Sequence, residues 1–356
     1  MIRRLFFRFS LTHPDPDFII IAECNGGVLM SSVPYSRYIF GTIPWYSFLI
    51  VTGVVIAVFL ACREEEHAGL PKDTVIDLAL WLIPFGIIGA RIYYVIFSWE
   101  QFRNDLLSVF RIWEGGIAIY GGIIAGLIVL LLFCRKRRLS AFTLCDIIAP
   151  GLVLAQAIGR WGNWFNIEAY GLQVTDPSLC FFPFALQVPA EGNTWHLATF
   201  FYESVWNFCI FIFLMIGRRK RLRARGDVFC FYLLLYASGR LVIEDLRLDS
   251  LYASSSVRVS QLFSILICMS VIIRYVVLLH RQKRLSAPFR YVLLPLSSVA
   301  SVFALIYALF GSFSASWPAF HSFLFLAGYA FVMIVSLFLL HHALLLPEVH
   351  HADDEA

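Results

Sequence analysis

The sequence predicts an all-α polytopic membrane protein: a seven-span helical core, two further C-terminal spans, and a small cap outside the bilayer. Three observations carry that prediction. Hydrophobic residues make up 60% of the 356 positions and mean hydropathy is +0.76, well beyond a soluble globular domain. Nine apolar segments approach or exceed the roughly 20 helical residues that cross a hydrocarbon core. Lys and Arg gather in short blocks between those segments, as in loops on the positively charged side of a membrane.

Residues 1–44 form an arm before the first span. Phe18 to Cys24 faintly resembles a lipoprotein signal, but Glu23 stands where a small residue is needed and the run is short, so a cleaved signal is rejected. The spans follow: Trp45–Cys62, Thr74–Phe97, Gly115–Cys134, Phe142–Ile158, Leu197–Ile216, Val228–Ile243 and Val257–Leu279 complete a core at 45–285. Tyr291–Phe313 and Pro318–Leu340 add two more over 286–343, and 344–356 is a solvated tail with an acidic end.

Basic blocks at Arg135 to Arg138, Arg218 to Arg225 and His280 to Arg290 follow segments three, five and seven. Flanked by apolar runs, they read as cytoplasmic loops rather than nucleic-acid patches. The N-terminus then lies outside and the C-terminus inside. The outer ends of segments two, four and six converge on one membrane face with the outer starts of three and five. The outside loop over 168–196 is the longest and forms the expected cap. The eight Cys form neither a metal nor a disulfide framework; only Cys24 and Cys180 fall outside the membrane, and nothing fixes their distance. No internal repeat is visible, which weakens an inverted-repeat transporter.

Polar residues that are costly in a membrane single out the candidate site. Segment four ends in Gly159-Arg160-Trp161-Gly162-Asn163-Trp164-Phe165-Asn166-Ile167-Glu168-Ala169-Tyr170-Gly171. Arg160 and Asn163 share a helical face. An aromatic belt with a snorkelling Arg explains the tryptophans but not the clustered amides and carboxylate. In segment six, Tyr236, Arg240 and Glu244 fall at i, i+4 and i+8, so Arg240 and Glu244 can pair. That pair alone could be structural. Two guanidinium groups at one depth suit an anion, and their fork fits a phosphate. Glu203, inside segment five, needs an Arg partner. Trp113 to Gly126 carries glycines that allow close helix approach, with Gly122 and Gly126 as the expected seam and Tyr120 either packing or reaching the site. Asp77 and Asp146 lie near inner ends and read as structural.

The ordered pattern Gly-Arg-x-Gly-Asn-x-x-Asn-x-Glu-x-x-Gly over 159–171 resembles the signature of prolipoprotein diacylglyceryl transferases. Trp45-Tyr46, Gly89-Ala90-Arg91-Ile92, Trp113 to Gly116 with Tyr120 to Gly122, Tyr202-Glu203, and Arg240 with Glu244 agree in the same order. The likeness covers about residues 40 to 285.

The resemblance implies transfer of the diacylglyceryl group of phosphatidylglycerol to the lipobox Cys thiol of a prolipoprotein. A thioether forms and glycerol phosphate leaves, at the outer face of a bacterial plasma membrane. By the same resemblance Arg160 holds the phospholipid head group, and Asn163, Asn166, Glu168 and Gly171 shape the pocket. Arg240, oriented by Glu244, stabilises the leaving phosphate, and Tyr46 and Tyr236 match family tyrosines near the site. No metal or other cofactor is implied. Many family members carry His where Tyr120 stands. A Tyr, with a reference pKa near 10, is a poor base at neutral pH, so the residue that deprotonates the thiol is left unassigned. Two other classes compete: an anionic-lipid transporter, which predicts repeat symmetry, and a non-catalytic scaffold, which would tolerate loss of the Arg/Asn/Glu set.

Overall fold

A computed structural model describes residues 36–189, 192–222, 224–248, 258–282, 292–310 and 319–345. The expectations for most of the arm (with Cys24), for most of the third basic block and for the acidic end of the tail lie outside the described residues. A two-stranded hairpin, β1 (Tyr38–Ile39) and β2 (Ile43–Pro44), leads into α1 (Trp45–Glu65). Then come α2 (Thr74–Phe97), a single turn α3 (Trp99–Phe102), α4 (Ile119–Arg137) and α5 (Ala141–Asn166). An antiparallel pair, β3 (Ala185–Val188) and β4 (Thr194–Leu197), forms the cap before α6 (Thr199–Lys220). The chain continues through α7 (Asp227–Asp245), α8 (Val259–Arg281), α9 (Leu294–Phe310) and α10 (Ala319–Leu345).

Each of the nine apolar segments contains a helix among the described residues. Seven helices among the described residues are long and apolar enough to cross a membrane. The eighth segment gives a shorter apolar helix. The sixth, α7, is not among the seven because Asp227, Arg240, Glu244 and Asp245 interrupt its 19 residues. It needs polar neighbours, and has them.

Local sequence sets the helix ends. Ser140 caps α5 by accepting from the Thr143 amide at 3.4 Å. Arg135, Lys136 and Arg137 end α4, and Arg218, Arg219 and Lys220 end α6, where cations oppose the helix dipole. Asp146 accepts from the Gly226 and Phe229 amides at 2.6 and 2.8 Å, tying α5 to the start of α7. Asp77 pairs with Arg137 at 2.5 Å.

Small residues decide which helices touch. α1 lies against α5, where a Cβ on Gly151 would sit 2.8 Å from the Ala57 backbone and one on Gly53 3.0 Å from Ala155. α2 lies against α4, and the seam follows the expected Gly122–Gly126 face only in part: a Cβ on Gly122 would lie 3.4 Å from the Gly86 carbonyl oxygen, but the closest approach is at Gly121. Gly121 is buried against Gly89, Ala90 and Tyr93, with Ala125 beside Gly89, whereas a Cβ on Gly126 would meet nothing within 4 Å. A step of one residue turns a helix by about 100°, and the backbone contact selects the Gly121 side.

The largest buried cluster lies where α5, α6, α7, α8 and α10 meet, with Phe231, Leu234, Leu241, Ile265, Tyr275, Met333 and Leu337 inside it. Of the two last helices, α10 packs on α7 and α8 and shares their core.

Candidate active site

Three helices bring charge to one end of the bundle. Glu203 of α6, 2% exposed, is the hub. The Arg160 guanidinium of α5 lies 2.6 Å from Glu203 Oε1, and Arg240 of α7 lies 3.3 Å from Oε2. Arg247, just past α7, stands 3.9 Å from the same oxygen. Arg240 also meets Glu244 at 2.6 Å, four residues on along its own helix. Both 2.6 Å contacts are charge pairs without hydrogen-bond alignment. Three guanidinium groups thus gather around Glu203 and Glu244. Such a cluster repays the cost of desolvation only if its charges stay together. The carboxylates are sealed in, but Arg160 and Arg240 remain 23% and 19% exposed. Their accessible faces are where an anion can be met.

The aromatic groups close in around it. Tyr236 hydrogen-bonds Arg160. Tyr120, at the start of α4, lies near Arg240, Glu244, Tyr93 and Tyr236, and its ring packs 5.7 Å from Phe263 of α8. Tyr46 lies near Glu168 and Arg160. It reaches them because residue 162 is Gly: a Cβ there would sit 2.6 Å from the Tyr46 ring.

The end of α5 is built by its signature. Ile167 takes a left-handed conformation (φ 53°) and the Glu168 amide returns to the Asn163 carbonyl at 3.0 Å, closing the helix. The turn points Asn166 at Glu168, whose carboxylate accepts from the amide at 3.0 Å. Asn163 is buried at 7% exposure in the last full turn. Trp161 and Trp164 pack among Phe182, Phe200 and Phe201, so they join the cap to the bundle.

Gly171 acts through its backbone. Its amide donates to Leu197 at 2.8 Å, His196 Nδ1 lies 2.9 Å from its carbonyl oxygen, and a Cβ would press against the Leu246 carbonyl at 2.6 Å. It lets the cap dock on the end of α7, bridging to Arg247. Arg91, in another matching segment, turns away to the loop after α2. It donates to the carbonyls of Ser108, Val109, Arg111, Gly115 and Gly116 at 2.6 to 3.4 Å.

Residue-by-residue reading did not place Glu203 in the site, although its burial signalled a partner. Arg247 and Arg37 were also absent from it. Arg37, in the hairpin before α1, donates to the Asn166 side chain at 3.3 Å and to its carbonyl at 3.4 Å. Among the described residues no group of His, Cys, Asp and Glu could hold a metal ion. A cavity of about 610 Å³, lined by Glu64, Lys72, Arg218 and Arg219, lies at the other end of α1, roughly 30 Å away by helical rise. It shares no residue with this cluster.

Fold and cluster together define a polytopic membrane protein with a charged site built between its helices. Similarity to known proteins narrows that class. The family model for prolipoprotein diacylglyceryl transferase matches residues 36–277. A phosphatidylglycerol–prolipoprotein diacylglyceryl transferase of Limosilactobacillus reuteri is 44% identical over 249 residues, 68% of this chain and 89% of that protein. Proteins of the same name from Enterococcus faecalis (44%, 65% of this chain and 85% of that one) and Streptococcus equi subsp. equi (45%, 68% and 93%) are similar. The chain belongs to the prolipoprotein diacylglyceryl transferase family and is a transferase.

Proposed function

We propose that this enzyme moves the diacylglyceryl group of phosphatidylglycerol onto the thiol of a lipobox Cys in a prolipoprotein, with the chemistry at the Arg160–Glu203–Arg240–Glu244 cluster. The observation that carries the site is the convergence of Arg160 and Arg240 on one buried carboxylate, which gathers their positive charge in one place.

The reaction needs that charge. The thiolate sulfur attacks the diacylglyceryl carbon bonded to the phosphate oxygen. A C–S bond forms, the C–O bond breaks, and the electron pair leaves with glycerol phosphate. The phosphodiester begins with one negative charge and the leaving phosphate gains a second. Preorganised guanidinium donors in a water-poor site favour that gain. Arg160 holds the head group, and Arg240 meets the oxygen that becomes anionic. Glu244 fixes the Arg240 rotamer, and Glu203 keeps two arginines from repelling each other apart. Asn163, Asn166 and Glu168 shape the side of the pocket nearest the cap. Tyr46, Tyr120 and Tyr236 supply hydroxyl donors around it. Gly171 acts through the backbone by docking the cap.

Positive-inside placement of the Arg135 and Arg218 blocks supports an outer-facing site, N-terminus out, in a bacterial plasma membrane. Both substrates are membrane-held, which suits lateral entry between helices. The core at 45–285 carries the chemistry, with 286–343 appended. The direct test uses purified protein, phosphatidylglycerol and a lipobox peptide. We expect the peptide to gain the mass of one diacylglyceryl group, with equimolar glycerol phosphate released. Lipid movement without a thioether product would favour a transporter and contradict this reading.

A further inference from the structure

We propose that Tyr307 of α9 and His341 of α10, one from each C-terminal helix, are positioning residues that hold α7 at the depth and rotation required by Arg240 and Glu244. The inference rests on reading Arg240 as the group that meets the phosphate.

α7 is poorly suited to hold its own place in a bilayer, with four Asp, Glu or Arg residues in its 19. A carboxylate near each end offers a handle. At the first turn, Asp227 accepts from the Tyr275 hydroxyl at 2.7 Å and from the Ala224 amide at 3.1 Å, and His341 Nε2 lies 3.2 Å from Oδ2. At the last turn, beside Glu244, Asp245 accepts from Arg258 at 2.9 Å and from the Tyr307 hydroxyl at 3.5 Å. These anchors are 18 residues apart, about 27 Å along the axis.

Between them α10 fills the groove. Phe338 packs edge-on against Phe231 at 5.2 Å, and the His341 ring does the same at 5.2 Å. An appended helix that only faced lipid would have no reason to bury His341, 5% exposed, against a carboxylate of this particular helix. Both residues lie beyond the 36–277 matched by the family, so the brace is a feature of this chain's extension. A guanidinium displaced by about 1 Å can forfeit up to ~10²-fold in rate, so small shifts of α7 register in turnover.

The test measures kcat, and KM for phosphatidylglycerol, on the full chain for His341→Ala, His341→Gln and Tyr307→Phe, with Arg240→Ala alongside. We expect His341→Ala to lower kcat about tenfold with KM within about twofold, because head-group binding at Arg160 is untouched. His341→Gln, which keeps an N–H donor, should recover most of it. Tyr307→Phe should lower kcat about threefold, also without moving KM. If His341→Ala fails to fold, Tyr307→Phe, which loses only a hydroxyl, decides the matter. Wild-type kcat with only a lowered Tm, a change confined to KM, or no recovery with Gln would overturn the inference. An inactive Arg240→Ala beside wild-type His341→Ala and Tyr307→Phe sinks the brace alone. Full turnover by all the variants sinks the site assignment itself.

Discussion

At the residue scale, Glu203 is the pivot. Arg160 and Arg240 come from different helices and would repel each other without it. Glu203→Gln keeps the shape but removes the carboxylate that Arg160 and Arg240 share. Removing one charge from a buried cluster costs roughly 3–5 kcal/mol, so a lowered Tm is expected by differential scanning fluorimetry together with weakened turnover. An unchanged Tm would mean that the cluster is solvated. Tyr120 gives a second prediction, because its hydroxyl lies beside Arg240 and Glu244. If it donates a hydrogen bond without acting as the base, Tyr120→Phe keeps more turnover than the roughly 10²-fold loss expected on removing a general base. A deeper loss, with folding intact, would make Tyr120 a proton acceptor.

At the element scale, the end of α5 and the start of α1 are held together by what Gly162 lacks. Trp45 stacks on Phe165 at 4.9 Å, and Tyr46 lies where a Cβ on residue 162 would go. Gly162→Ala should push Tyr46 off α5, costing roughly 1–3 kcal/mol of stability through overpacking. It should also lower activity, because Tyr46 lies near Arg160. Gly126→Ala, with open space around its Cβ, is the matched control and should leave both Tm and turnover unchanged. Equal effects from the two substitutions would contradict the seam described here.

At the scale of the whole molecule, hydropathy and spacing made much of the architecture legible. Each of the nine apolar runs contains a helix among the described residues, and the four-residue step from Arg240 to Glu244 became a 2.6 Å pair. What spacing conceals is the rotation of one helix against another. Glu203 was visibly in need of a partner, but its meeting with three arginines depends on how α6 turns between α5 and α7. The α2–α4 seam centres on Gly121, with Gly122 beside it and Gly126 outside, for the same reason. Arg37 was illegible because a short hairpin, carrying no hydropathy signal, brings it to Asn166. The brace by α9 and α10 was hidden because an apolar run does not say which helix it packs on.

The central claim is that the arginines clustered between α5, α6 and α7 drive departure of the phosphate. Release of glycerol phosphate from phosphatidylglycerol in the presence of a lipobox peptide tests it most directly, with Arg160→Ala and Arg240→Ala compared with the unaltered chain. The account predicts a loss of at least about 10²-fold for each, with the helical circular dichroism signal preserved. Wild-type release by either correctly folded variant would contradict it.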